Sequence, residues 1–463
     1  MFDKYLLSLL IWLPILGGCL ILVMGHYDKT YKYRLTKYYA LLFSLITFAL
    51  CIRMYCLFNL NTYHMQFVED YAWIPLLHAR YTLGVDGISL LFIMLCSFTN
   101  IIIILAAWNK VLFKLPQYLA IFLIATGIMN GSFASTDALL FYVFWEASLI
   151  PMFIGIGVWG GSKRSFAAIK FFLYTFLGSI FLLLAFLYMY SKTGNFNLLS
   201  FQNLPLSQLS ENLIFLAFFA AFAVKIPMFP VHTWLPDAHT EAPAGGSVVL
   251  AALMLKLGGY GFIRFSLPIV PRITESLDWV LIALSLVAII YIGFATIVQK
   301  DIKRLIAYSS ISHMGIVTLG LFMVFMIAAT THNINDATMS IQGALFQMVS
   351  HAFSSGALFI GVGYLYKRFH SRQISDYQGI ATVMPVFAAF YMLFAMGNVG
   401  LPGTSGFVGE FLIIVSAFKA NFWIALAAGL TLLLAPAYTL WLFKRVIFGT
   451  PKEGMIHPDI DYR

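Results

Sequence analysis

The chain has 463 residues, 61% of them hydrophobic and 10% charged, and its 28 basic and 19 acidic side chains give a formal charge of +9. So few charges cannot coat a water-soluble protein of this length, and the composition specifies an integral membrane protein. The basic excess sits mostly in loops between apolar runs, the mark of membrane topology, and gives no reason to expect a nucleic-acid partner.

At about 20 residues per crossing, the apolar runs predict thirteen spans: 5–25, 38–58, 88–107, 117–134, 137–158, 168–190, 211–230, 245–266, 278–298, 304–326, 338–365, 383–418 and 422–447. Only short loops separate them. The predicted fold class is an all-α polytopic membrane protein with a single membrane domain. Run 5–25 is too long for a signal-peptide core and lacks a small-residue cleavage site, so it reads as an uncleaved span 1. Cys19, Cys51, Cys56 and Cys96 fall in spans 1–3 without a CxxC pair, and read as small core residues rather than metal or iron–sulfur ligands. Arg53, near the end of span 2, is expected to snorkel to the interface.

Span 5 carries Glu146 within ALLFYVFWEASLIPMF. It ends on Gly155-Ile-Gly157-Val-Trp-Gly160, which fits GxGxxG by its letters. No soluble strand precedes that string and no helix of a βαβ unit follows it, so it is not read as a dinucleotide site.

Span 7 carries Lys225 in LIFLAFFAAFAVKIPMFP. A charge at bilayer depth costs about 2.5–3.5 kcal/mol even on the lenient insertion scale. Pro227 and Pro230 follow at once and withdraw helix hydrogen bonds, so the charge is expected at a broken helix, the usual setting of an ion path. Beyond the break, His232 and His239 flank Asp237 in VHTWLPDAHTEAP. Their H-x6-H spacing is no compact ligand motif, and a structural or proton-exit role is favoured over a metal.

Span 8 places Lys256 centrally in VVLAALMLKLGGYGF. In span 10, Ser309 and His313 are four residues apart; in span 11, Gln347, His351, Ser354 and Ser355 share a face. Span 12 is interrupted at NVGLPGTSGFVGE by Gly400, Pro402, Gly403 and Gly406, just before Glu410. Buried charges of this kind can be fixed ion pairs that only orient helices. Two of each sign, together with polar helix faces able to hold water, favour a proton path.

Five spans separate the two breaks, and an odd offset makes the second five-span unit start from the opposite side. Spans 4–8 (about 117–266) and 9–13 (about 278–447) are therefore expected to be inverted repeats, after spans 1–3 at 1–107 and before a polar tail at 448–463. Loops after odd-numbered spans, with the tail, hold nineteen Lys and Arg: Lys29, Lys32, Arg34, Lys37, Lys110, Lys114, Lys163, Arg164, Lys170, Lys300, Lys303, Arg304, Lys367, Arg368, Arg372, Lys444, Arg445, Lys452 and Arg463. The other side holds six: Lys4, Arg80, Lys192, Arg264, Arg272 and Lys419. The N-terminus is thus predicted outward and the C-terminus inward.

The strings LGVDGISLLF, FWEASLIPMFIGIGVWGG, AVKIPMFPVHTWLPDAHTEAPAGGSVVLAALMLKLGGYGFIRF, QKDIKRLIAYSSISHMG and GLPGTSGFVGEF resemble the chain M (mitochondrial chain 4) family of the proton-pumping NADH–quinone oxidoreductase, respiratory complex I. The resemblance runs over nearly the whole chain. It implies an antiporter-like fold with two inverted five-helix repeats and discontinuous helices 7 and 12. It also implies a proton path through Glu146, Lys225, Lys256, His313, His351 and Glu410, with helix breaks at Pro227, Pro230, Pro402 and Gly403. Glu410 discriminates, because the related chains L and N have lysine at that point. The family usually has one further C-terminal helix, where this chain ends in a polar tail.

On physical grounds Glu146 is expected to be the counter-ion of Lys225; loosening that pair releases a proton toward Lys256 and His313, and Glu410 collects it for exit. Water must bridge the steps across a hydrocarbon core of about 30 Å. The resemblance further implies that NADH, flavin, iron–sulfur clusters and quinone belong to partner subunits, with no cofactor in this chain. The expected neighbours are the other membrane subunits of complex I, especially chains L and N, in a bacterial inner membrane or alternatively the mitochondrial inner membrane. The alternative reading is a subunit of a multi-subunit sodium/proton antiporter or of a membrane-bound energy-converting hydrogenase.

Overall fold

Backbone groups removed from water must be satisfied within their own segment, which is why long apolar runs become helices. The computed structural model describes residues 2–27, 33–108, 113–451 and 458–460. Among these residues twelve helices are long and apolar enough to cross a membrane: Asp3–Tyr27, Arg34–Leu57, Gly87–Ala107, Leu115–Ala134, Ala138–Trp159, Arg164–Thr193, Gln208–Lys225, Ala244–Ile269, Asp278–Ile297, Ile302–Phe322, Ile334–Phe369 and Phe422–Val446. They are spans 1–11 and 13. Span 12 is two shorter helices, Pro385–Val399 and Ser405–Ala420. Of the charges used to orient the chain, Lys29, Lys32, Lys110, Lys452 and Arg463 lie outside the described residues, as does most of the tail beyond residue 451.

The chain divides into two compact units, Met1–Phe222 with Lys256–Pro271, and Ala223–Leu255 with Arg272–Arg463. In the first, the stretch between spans 2 and 3 is more than the short loop expected there. It folds into an antiparallel hairpin of β1 (Gln66–Ile74) and β2 (Ala79–Val85), with Tyr71 opposite Tyr81. Glu69 of β1 is buried, and its Oε1 accepts from the backbone N–H groups of Leu7 (2.8 Å) and Ser8 (3.0 Å), so the hairpin caps the first turn of span 1. Spans 1 and 4 approach so closely that a Cβ on Gly127 would lie 2.3 Å from the Ile11 carbonyl oxygen. Arg53 does more than snorkel: its Nε donates to Asp3 Oδ1 at 2.7 Å.

Span 5 is interrupted at Ser148, between helices Ala138–Ala147 and Leu149–Trp159. The cause is Pro151, whose missing N–H leaves the Ala147 carbonyl without its helical partner. Asp137 caps the start of this span by accepting from the Leu140 N–H (3.0 Å), and also accepts from the Arg80 N–H of the hairpin (3.1 Å). Beside the cap the chain makes a single antiparallel bridge, with Ala138 N–H donating to Phe196 O (2.8 Å) and Leu198 N–H to Thr136 O (3.1 Å).

The second unit repeats this construction in its own residues. Asp301 caps span 10 through the Arg304 N–H (3.0 Å), and beside it Ile302 N–H donates to Arg372 O (2.9 Å) while Ile374 N–H donates to Lys300 O (2.8 Å). Lys303, counted as a loop charge from sequence, is buried. Its Nζ donates to Ala242 O (2.5 Å) and Ser247 Oγ (3.3 Å), tying span 10 to the segment around the first break.

Candidate functional site

Span 12 breaks for reasons local to its sequence. Gly400 takes φ +76°, ending the first helix in a left-handed cap; Pro402 has no N–H, and Gly403 takes φ +92°. The helix restarts at Ser405. Gly406 was expected in the interruption but lies in the second helix, where a Cβ would meet the Gly397 carbonyl oxygen at 2.1 Å, so its smallness lets the two halves pack.

The restart aims Glu410, fully buried, at spans 10 and 11. Its Oε1 accepts from Gln347 Nε2 (3.0 Å) and lies 3.0 Å from His313 Nδ1. Its Oε2 has no hydrogen-bond partner among the described residues and faces Gly400, where a Cβ would come within 2.9 Å of it. On the other side of the imidazole, Tyr438 of span 13 places its hydroxyl 3.2 Å from His313 Nε2. With an ionised Glu410, Nδ1 carries the proton and Nε2 accepts from Tyr438; adding a proton at Nε2 requires only that the hydroxyl rotate. The His351 ring centroid is 5.8 Å from that of His313, and Ser355 Oγ lies 3.4 Å from His351 Nδ1. Hydrogen bonds to a charged group contribute about 1.5–3 kcal/mol each, so the donors around Oε1 offset part of the several kcal/mol that burying a carboxylate costs.

Lys225 belongs to the same unit and ends the Gln208–Lys225 helix, with its side chain buried. The chain leaves helical geometry at Pro227 and Pro230, and Trp234 Nε1–H donates back to the Val224 carbonyl (2.8 Å), fixing the turn. His239 stacks flat on Phe359, at a centroid distance of 4.5 Å, and His232 stacks on Phe229. Among the described residues no three His, Cys, Asp or Glu side chains gather to hold a metal ion.

Glu146 and Lys256 belong to the first unit. Glu146 is partly buried, two residues before the Ser148 interruption. Lys256 is fully buried, and its helix is wound as π-helix on both sides, over Leu250–Met254 and Phe262–Ser266. Such wide turns recur at functional sites because they leave backbone and side chains out of ordinary register. The six expected site residues thus fall into two groups, with His313, His351 and Glu410 brought together in one cluster.

Two features escaped the sequence reading. Tyr438 is one aromatic among many in span 13. Arg264, counted as a loop charge, is buried in span 8, where its Nη2 donates to Asp86 Oδ2 (2.7 Å) and Ser89 Oγ (3.2 Å) and its Nε donates to Tyr260 Oη (3.1 Å). Tyr260 donates its own proton to the Phe133 carbonyl (2.9 Å). A basic residue followed by a proline-bounded loop looks like a loop charge unless its partner, here 178 residues away, is known.

Residues 135–435 match the family model described as NADH:quinone oxidoreductase/Mrp antiporter, TM. NADH-quinone oxidoreductase subunit M of Rhodobacter capsulatus is 48% identical over 457 residues, covering 96% of this chain and 86% of the relative. Among solved structures, a chain of respiratory complex I from Thermus thermophilus with bound NADH superposes with a TM-score of 0.86 at 30% identity, covering 98% of this chain and 91% of that one. A chain of the Mrp complex from Dietzia sp. DQ12-45-1b shares the fold, with a TM-score of 0.84 at 20% identity and coverage of 98% and 81%.

Proposed function

The chain belongs to the NADH:quinone oxidoreductase/Mrp antiporter membrane family, and from that premise we propose that it is the antiporter-like, proton-translocating membrane subunit of an NADH–quinone oxidoreductase. Electrons pass from NADH to quinone in partner subunits, which hold the flavin and iron–sulfur clusters; this chain carries protons and no redox centre. Its neighbours are further antiporter-like membrane chains, L and N, in a bacterial inner membrane. Similarity to a bacterial subunit M over nearly its whole length supports that assignment.

The observation that carries the reading is the buried cluster of His313, Glu410, Gln347 and Tyr438 beside the break in span 12. Imidazole and carboxylate in contact give two sites that exchange a proton by a short move, and the broken helix supplies backbone groups able to hold water. Glu146 serves as counter-ion to Lys225. When that attraction weakens, Lys225 passes its proton toward Lys256 and His313, and Glu410 collects it with His351 alongside. The two five-span segments are inverted repeats. The matching Asp137 and Asp301 caps, each beside a single bridge, support this, as does the five-span offset between the breaks.

The test is NADH-driven quinone reduction measured together with proton uptake in inverted membrane vesicles, comparing the parent with Lys225→Ala. Pumping is expected to vanish while the complex stays assembled. Normal proton-to-electron coupling in that variant would sink the scheme. Untouched NADH oxidation with loss of sodium- or potassium-dependent proton exchange would assign the chain to an antiporter complex instead.

A further inference from the structure

The first unit contains a buried polar network that the proton path does not use. Lys256, Tyr260 and Arg264 follow one another at intervals of four along span 8, so they rise about 12 Å along the helix on neighbouring faces. Past Arg264 the next polar group is Asp86, which follows the hairpin and caps span 3 through the Ser89 N–H (2.9 Å). Side-chain exposure is 10% for Arg264 and 23% for Asp86, so the carboxylate stands toward solvent and the guanidinium behind it.

The proton positions in this network follow from its partners. The single Tyr260 proton is committed to the Phe133 carbonyl, so its oxygen accepts from Arg264 Nε and from the Ser89 hydroxyl, 3.0 Å away. The Ser89 oxygen accepts in turn from Arg264 Nη2. A water wire conducts only when each member can take a proton on one side and release one on the other. Arginine does neither, because its guanidinium keeps its proton and has no acceptor site. Tyr260 can turn only by giving up its bond to Phe133. Burial alone would raise the Asp86 carboxyl, but the Arg264 charge and the Ser89 donors bring it below its ordinary value, so it too stays deprotonated near neutrality.

We propose that Arg264, held by Asp86, Tyr260 and Ser89, is a proton-tight stopper that closes the hairpin-side end of span 8 behind Lys256. Arginine side chains also exclude protons from water-conducting pores, where their charge acts as an electrostatic barrier. Arg264 is a positioning and insulating residue, touching no transported proton. Its function is to prevent protons that reach Lys256 from leaking to the hairpin side, which the charge bias places outward. The inference rests on the reading of Lys256 as a proton carrier.

The experiment measures passive proton flux under an imposed pH gradient, without NADH, in vesicles that hold the assembled complex. Arg264→Gln is expected to raise the flux at least fivefold over the parent, and Lys256→Ala added to it should return the flux to the parent level. Asp86→Asn keeps the guanidinium and should remain tight. Parent-level flux in assembled Arg264→Gln overturns the proposal, as does a leak that persists without Lys256. If Arg264→Gln does not assemble, Arg264→Lys decides, since lysine keeps the charge but can release a proton: flux above the parent supports the stopper and parent-level flux overturns it. Failure of the pumping scheme reads differently, as normal NADH-driven coupling in Lys225→Ala.

Discussion

His313 and Glu410, 97 residues apart in the chain, meet through a 3.0 Å contact between Nδ1 and Oε1, with neither side chain open to solvent. Gln347 donates to the same oxygen, so one carboxylate atom takes both contacts while the other faces Gly400. Glu410→Gln keeps the shape and removes the charge. It should leave assembly near the parent level and lower protons moved per electron at least severalfold, with Glu410→Asp milder. Vesicle proton uptake decides, and full pumping by the Gln variant would reduce Glu410 to holding spans together.

The same break offers a contrast between two glycines. Gly403 has φ +92° with open space around its Cα, so Gly403→Ala costs backbone strain of about 1–2 kcal/mol. Gly406→Ala drives a methyl into a backbone oxygen 2.1 Å away and forces the two halves of span 12 apart, an overpacking cost of about 1–3 kcal/mol or more. The amount of assembled complex and its thermal midpoint should fall further for Gly406→Ala. The reverse order would mean that the halves separate easily.

Glu69→Ala strips the cap from span 1. Losing a carboxylate that serves two N–H groups costs about 0.5–2 kcal/mol, and the effect should be local. Amide exchange at Leu7 and Ser8 should accelerate while the Ser89 amide, capped by Asp86, keeps its rate. Equal acceleration at both sites would make the hairpin a global rather than a local support.

Asp137 gives a pH signature. Burial pushes its carboxyl from 3.8 up to about 6, against the pull of the Leu140 and Arg80 amides. A raised carboxyl favours its protonated form in the fold. Its contribution is therefore complete below about 3.8 and is lost as the pH climbs through about 6. Asp137→Asn is neutral throughout and keeps an acceptor oxygen for the cap. Its thermal midpoint should vary less than the parent's across that window, and an unchanged slope would assign the dependence to other groups.

Some of this was legible in the sequence because the signals are local. A proline withdraws its N–H wherever it stands, so the breaks after Lys225 and Val399 could be read from Pro227, Pro230 and Pro402. A charge inside an apolar run is conspicuous, so Glu146, Lys225, Lys256 and Glu410 stood out as candidates. Arg264 and Lys303 were misread because a basic residue near the end of a span looks the same whether it faces water or a distant partner. Tyr438 gave no signal, since nothing in LLLAPAYTLWLF separates a hydroxyl aimed at an imidazole from one at an interface. Gly406 was credited with breaking a helix when its service is to be small. The hairpin was missed because its alternation is short and interrupted by bulges.

The π-helical turns around Lys256 carry a consequence for how this chain tolerates change in length. A π turn is, in effect, one residue inserted into an α-helix. Deleting a single residue from Leu250–Met254 would let the turn close to ordinary winding with Lys256 on nearly its present bearing, whereas the same residues rewound as α-helix without a deletion would swing it by about 100° relative to the turns before it. Hydropathy would barely register the loss, and the span would still be long enough to cross. The compass bearing of the ammonium group is therefore written in the winding of the backbone, and a frame-preserving loss of one codon here should disturb that bearing less than the loss of one codon from an ordinary helical turn.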